Sequence, residues 1–223
     1  MTSTNHLTVL LWRHAPTPDN ERGRLQGRRD TPTHPAGLEV GRAGGELMLG
    51  RYGTPREIWS SPLQRASETA QLLTDLCRVP WSVDEQMTQR SYGVWEGLTV
   101  EQLAQDFPEE LAIRNAGGDP DIPGWETGID VGRRVAGTVT RHVTRVWEND
   151  DLRTMVTSGG PLVFVSHGSA IAAGARRLLN LPEQPNILGH INHAHWVELR
   201  YHPDGAAGVG AVWTLQAYNV GPH

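Results

Sequence analysis

Two runs constrain this chain more than any other feature: residues 6–12, HLTVLLW, and residues 161–168, PLVFVSHG. Each is continuously apolar and rich in β-branched residues. A strand with one wet face alternates apolar and polar residues, whereas a run without alternation is buried on both sides. The chain therefore needs a central sheet covered by helices on both faces. Both runs also stop at polar chemistry, Arg13-His14 after the first and Ser166-His167 after the second.

The remaining pattern fits that frame. REIWSSP (56–62) reads as a third short strand, and VPWSVDEQM (79–87) as an edge strand. Residues 34–50 predict a helix entered at Pro35, with Ala36, Val40, Ala43 and Leu47 as its buried stripe. Residues 61–76 predict a helix with Ser61 as N-cap and Pro62 at its first position. TVEQLAQDF (99–107) predicts a helix, and NAGGDPDIPGWETG (115–128) a Gly/Pro-rich loop. Residues 129–147 predict a long amphipathic helix with Val131, Val135, Val139, Val143 and Val146 on one side. SAIAAGARRLLNL (169–181) follows its strand as a helix. Residues 193–202 and 211–219 form a hairpin across PDGAAGVG (203–210). Strands alternating with helices predict an α/β three-layer sandwich with a mostly parallel central sheet. The expected organisation is one domain, 1–223, with a cap-like insertion at about 99–149.

Composition narrows the function. A net charge of −5 excludes a general affinity for nucleic acid or anionic membranes. Cys77 is the only cysteine, so an internal disulfide is impossible and a cytoplasmic location is expected. No leader or membrane span is expected, because the N-terminal apolar run is too short for either. The oligomeric state is not legible, and a homodimer is allowed for.

Open α/β sheets place their sites at the carboxyl ends of the strands. Arg13-His14, Ser60-Ser61 and Ser166-His167 all fall at such ends. Arg13, Arg24 and Arg65 near these ends suit a phosphate monoester, whose oxygens match guanidinium forks. A neutral histidine held in one tautomer can attack phosphorus, and a second can bond the transferring oxygens. His190, His193 and His195 in GHINHAHW invite a metal reading, since His193 and His195 would share a face of a strand. No nearby cysteine or acidic pair completes such a site, so neither metal nor organic cofactor is expected. Trp125, in the Gly/Pro-rich loop, is placed to border a substrate.

Four segments together, LLWRHAPTPDNERGRLQG, SSPLQRASETA, YGVWEG and VFVSHGSAI, resemble the histidine phosphatase (phosphoglycerate mutase-like) superfamily in order and spacing. The resemblance implies His14 as phospho-accepting nucleophile and a pocket of Arg13, Arg65 and His167. It implies Asn20 and Gln26 at further pocket positions, with Arg24 and Gly168 beside the substrate. NERGRLQG, YGVWEGLTVEQL, GWETGIDV and the tail LGHINHAHWVELR…WTLQAYN are similar to actinobacterial glucosyl-3-phosphoglycerate phosphatases. That likeness implies a phosphomonoester hydrolase acting on a small phosphorylated sugar acid. One position departs from the pattern. Active members carry a glutamate as proton donor before the aromatic-Gly step, and here Gln89 stands there, in MTQRSYG. An amide is no general acid near neutral pH. Glu85 is too far along the chain to replace it, Glu96 reads as structural, and Asp19 is the remaining nearby carboxylate. A mutase-type phosphotransferase and a catalytically weak binder of phosphorylated ligands stay open beside the phosphatase.

Overall fold

The computed structural model describes residues 6–149, 160–183, 187–203, 205 and 210–223. Six strands form one sheet: β1 (Leu7–Arg13), β2 (Glu57–Ser60), β3 (Trp81–Val83), β4 (Leu162–Ser166), β5 (Trp196–His202) and β6 (Val212–Val220). Their spatial order is β3-β2-β4-β1-β5-β6. β3, β2, β4 and β1 run parallel, and β5 and β6 add antiparallel at the β1 side. β1 and β4, the two runs without alternation, sit side by side in the middle, with Arg13 opposite Ser166.

The two faces of the sheet carry separate cores. Leu7, Val9 and Leu11 pack with Phe164 against α6 (Gly128–Glu148) and α7 (Gly168–Leu178). Leu10 and Trp12 pack with Val163 and Val165 against α2 (Pro35–Tyr52) and α3 (Gln64–Cys77). Alternate residues of one strand thus feed opposite layers, as the pleat requires. All five valines expected on one side of α6 are fully buried. The remaining helices are α1 (Pro18–Glu21), α4 (Val100–Asp106) and α5 (Pro108–Asn115).

Three local expectations are corrected. In α2 the stripe Ala36, Val40, Ala43 and Leu47 faces outward. The buried positions are Gly37, Gly41, Gly44, Gly45 and Met48. The glycine face wins because α2 approaches its neighbours too closely for side chains. A Cβ on Gly41 would lie 2.8 Å from Leu72, and one on Gly44 2.8 Å from the Ala194 carbonyl. Close backbone approach selects glycine over apolarity.

In α3 the N-cap position is Leu63, without a side-chain cap, and not Ser61. The Asp30 carboxylate accepts from Gln64 N at 2.6 Å instead. His193 and His195 precede β5 and lie in a turn, so no strand aligns them. The β5–β6 pairing is as expected, but part of its connection, 204 and 206–209, lies outside the described residues.

The insertion at 99–149 is likewise narrower than expected, since α6 belongs to the main core. Residues 99–127 carry a small core of their own. Leu103, Leu111 and Ile122 cluster there with Tyr92 and Trp95.

Candidate active site

Parallel neighbours end at the same level, so β1 and β4 deliver Arg13-His14 and His167 to one edge of the sheet. The His14 amide donates to the Ser166 carbonyl at 2.9 Å, tying the two ends together. The His14 and His167 rings lie 5.1 Å apart, centroid to centroid. Arg65 reaches the same place from the first turn of α3. All four side chains are buried.

His14 donates Nδ1–H to the Ala15 carbonyl at 2.7 Å. A carbonyl can only accept, so the proton sits on Nδ1 and the lone pair on Nε2. Burial holds the imidazole well below its ordinary 6.5, and Arg65, His167, Arg13 and His193 push the same way. His14 is therefore a neutral imidazole held in a single tautomer. Ala15, next in the chain, is fully buried, and its amide donates to Thr69 Oγ1 at 2.9 Å.

The arginines are pre-set by neutral acceptors. Arg65 donates to the Gly27 and Arg29 carbonyls, both at 2.7 Å, and through Nε to His167 Nδ1 at 3.2 Å. Arg13 donates to the Ile191 carbonyl, to His190 Nε2 at 3.0 Å and to His193 Nε2 at 2.7 Å. Its Nε is buried without a partner. No carboxylate among the described residues bonds either guanidinium, and burial lowers both to about 10. Two buried cations without paired carboxylates are costly, and an anion between them offsets that cost.

His167 stands differently from the expected second ligand of the transferring group. Its Nδ1 accepts from Arg65, so Nε2 carries the proton, which Ser61 Oγ accepts at 2.8 Å. Both nitrogens are engaged within the protein. Ser61 Oγ also accepts from the Leu63 amide at 3.3 Å, but Ser61 lies two residues before the N-cap position of α3.

A cavity of about 760 Å³ opens above this floor. Arg13, His14 and Arg65 line it, as do Asn20, Arg24, Gln26, Gln89 and Gly168. His167 does not. Asn20 Oδ1 takes the amide and hydroxyl of Thr17, a capping arrangement that fixes the loop after β1. Gln26 is buried with its carbonyl unpartnered. Arg24 is anchored to the Gly97 carbonyl at 2.6 Å. Gly168 is where the Arg13 guanidinium passes, since a Cβ there would sit 3.4 Å from its central carbon.

Gln89 lies at the cavity wall. Its Oε1 accepts from Arg90 N at 2.9 Å and from Ser169 Oγ at 2.8 Å. An amide N–H can only donate, so the Arg90 amide fixes the Gln89 oxygen on that side and leaves its NH₂ as the donor end. Ser169 is braced in turn by Tyr92 at 3.0 Å.

None of the nearby carboxylates takes the acid's place. Asp19 is buried against Thr31, Glu96 accepts from the Arg28 and Tyr92 amides, and neither lines the cavity. Glu85 does not line it either. The two carboxylates in the wall are Asp119, bonded to Arg90 and Trp125, and Glu183, paired with Arg176. The sequence reading missed Ser169, Tyr92, Arg90, His190 and His193. Only the histidines left a signal, and it pointed to a metal. Trp125 packs tilted against Tyr92 and edge-on against Trp95 and sits under the Arg90 guanidinium, so it builds the cap's core.

The chain belongs to the histidine phosphatase superfamily (branch 1), whose family model matches residues 9–214. It is 34% identical over 219 residues to glucosyl-3-phosphoglycerate phosphatase of Mycolicibacterium vanbaalenii, covering 95% of this chain and 94% of that one. The native structure of a mycobacterial glucosyl-3-phosphoglycerate phosphatase superposes with a TM-score of 0.81 at 31% identity, over 96% of this chain and 99% of the other. A second structure of that enzyme, complexed with VO3, gives 0.81 at 30%. No described helix is long and apolar enough to cross a membrane.

Proposed function

We propose that this chain is a phosphomonoester hydrolase working through phosphohistidine at His14, on a small phosphorylated sugar acid of the glucosyl-3-phosphoglycerate type. The observation that carries this is His14 itself, neutral and with Nε2 free by tautomer, beside two buried arginines that lack a carboxylate. Arg13 and Arg65 hold the phosphoryl oxygens and stabilise the charge that builds on them. The His14 Nε2 lone pair forms the N–P bond as the bond from phosphorus to the alcohol oxygen breaks. Water then attacks the phosphohistidine, returning His14 and releasing inorganic phosphate.

His167 keeps the Arg65 fork turned toward the floor. Residues 99–127 act as a cap that meets the rest of the substrate. A cavity of about 760 Å³ has room for a sugar beyond the phosphate. Cys77 as the lone cysteine accords with a reducing cytoplasm, where we place the enzyme.

Gln89 shapes which esters react. Its NH₂ can hydrogen-bond a leaving oxygen but has no proton to give it. Esters with good leaving groups need little such help, whereas alkyl phosphates need it most. The test is a phosphate-release panel on the purified protein, with p-nitrophenyl phosphate, 3-phosphoglycerate and glucosyl-3-phosphoglycerate, run beside Gln89→Glu. Release that requires His14 and leaves an acid-labile phosphoenzyme is the expected result. If neither form, properly folded, frees phosphate from any of them, the chain binds phosphorylated ligands without turning them over.

A further inference from the structure

The histidines of GHINHAHW do no metal chemistry in the reading above, yet two of them touch the most important arginine. Arg13 gives one N–H to His190 Nε2 at 3.0 Å and another to His193 Nε2 at 2.7 Å. Guanidinium nitrogens only donate, so both imidazoles must offer a lone pair at Nε2 and carry their proton on Nδ1. Both are thus neutral when they hold Arg13. A carboxylate in either place would bind Arg13 more strongly, but would also cancel the charge needed for phosphate. Neutral acceptors fix the fork and leave its charge to the ligand.

The backbone around His193 is built for this. Ala194 adopts φ +57°, a left-handed conformation that is unfavourable for a residue with a Cβ. Three bonds hold it there. The Trp12 indole donates to the Ala194 carbonyl at 2.9 Å, the Arg13 amide to the His195 carbonyl at 2.8 Å, and the Ala194 amide to the His14 carbonyl at 3.3 Å. Gly44 of α2 makes room, since a Cβ there would meet the same Ala194 carbonyl. The turn is therefore locked to the end of β1, the strand end that carries Arg13 and His14. The His193 ring also lies 5.4 Å from the His14 ring, so one side chain borders both groups.

We infer that His193, assisted by His190, is a positioning residue that orients Arg13 and the His14 ring through a neutral imidazole acceptor on a strained turn. Burial and the Arg13 charge keep His193 at about 3, and His190 is lowered by the same two causes, so both stay acceptors near neutral pH.

This rests on the proposed role of Arg13 and His14, and the test separates the two. Wild type, His193→Leu and His193→Gln are compared for kcat and KM on p-nitrophenyl phosphate and for direct vanadate binding by titration calorimetry, with thermal melts to confirm folding. A wild type that releases no phosphate removes the phosphatase reading and not the clamp, because vanadate binding still reports on Arg13. The expected result is a drop of about 10²-fold in kcat/KM for His193→Leu, the cost of roughly 1 Å of misplacement. Vanadate affinity should weaken with it. His193→Gln, whose amide oxygen still accepts from Arg13, should recover most of both. Should His193→Leu fail to fold, the exposed His190 provides the same pair, His190→Leu and His190→Gln, with a smaller loss and the same rescue. A folded leucine variant with kinetics and vanadate affinity within about twofold of wild type overturns the inference. So does a glutamine variant as impaired as the leucine one.

Discussion

The floor of the cavity and the cap above it are built on opposite principles. The floor side chains Arg13, His14, Arg65 and His167 are almost fully buried, on rigid strand ends and one helix turn; Arg13 and Arg65 each make three hydrogen bonds, His167 makes two and His14 is held by one. The cap has a core of a few residues around Trp95 and Leu103, leaves Val100 and Ile113 exposed, and is fastened by isolated bridges, Arg24 with Thr99 and Tyr92 with Trp125. A group that reacts with phosphorus must be placed once and not move. A surface that accepts one alcohol and refuses another needs only shape, and a lightly packed segment can change shape without disturbing the chemistry. Gln89 sits at the join, in the cavity wall, with its oxygen tied to Ser169 of α7.

The strongest way to break this division is at its chemical end. His14→Ala should reduce phosphate release to background while the melting curve stays near wild type, because His14 lies at a strand end and its loss empties no part of the apolar core. Turnover surviving in a folded His14→Ala protein sinks the mechanism.

At the join, Gln89→Glu should raise turnover of alkyl phosphates by about 10²- to 10⁴-fold, the usual range for a general acid, and of aryl phosphates far less. If glucosyl-3-phosphoglycerate is already fast and the exchange adds nothing, another group delivers the proton, and Asp119 in the cavity wall is the first to examine.

In the cap, Leu103→Ala should cost about 2–5 kcal/mol of local stability. Hydrogen exchange should then speed up across residues 99–127 and stay slow in β1. Equal acceleration in both would show that cap and floor melt as one unit.

The smallest effect is in pH. His14 and His167 are held well below 6.5 when folded, chiefly by burial. Below about pH 6.5 the unfolded chain takes up protons that the folded one does not. Stability is therefore full above that pH and falls as pH drops, by up to about 1.4 kcal/mol per unit for each histidine. Phosphate release should persist below pH 6.5, since His14 remains neutral there. Urea midpoints that do not change between pH 7.5 and 5 would show that burial of these imidazoles has been misread.

What the sequence settled by itself is whatever depends on local pattern. Short β-branched runs without alternation suit strands buried on two faces, so β1, β4 and the layered architecture were legible. The spacing of Arg13-His14, Arg65 and Ser166-His167 sufficed for the floor, because parallel strands end together. Five valines at helical spacing identified the buried side of α6 for the same reason.

Tertiary structure decided what depends on distance between remote elements. The same stripe logic that works for α6 fails for α2, where close approach to Leu72 and Ala194 puts glycines inward and Val40 and Leu47 outward. Ser61 suits an N-cap, but the helix begins at Gln64, whose amide donates to the remote Asp30 carboxylate. The histidines of GHINHAHW invite a metal reading that no further ligands complete among the described residues, and only the left-handed turn at Ala194 puts His193 on Arg13. In each case the deciding contact came from a part of the chain tens of residues or more away.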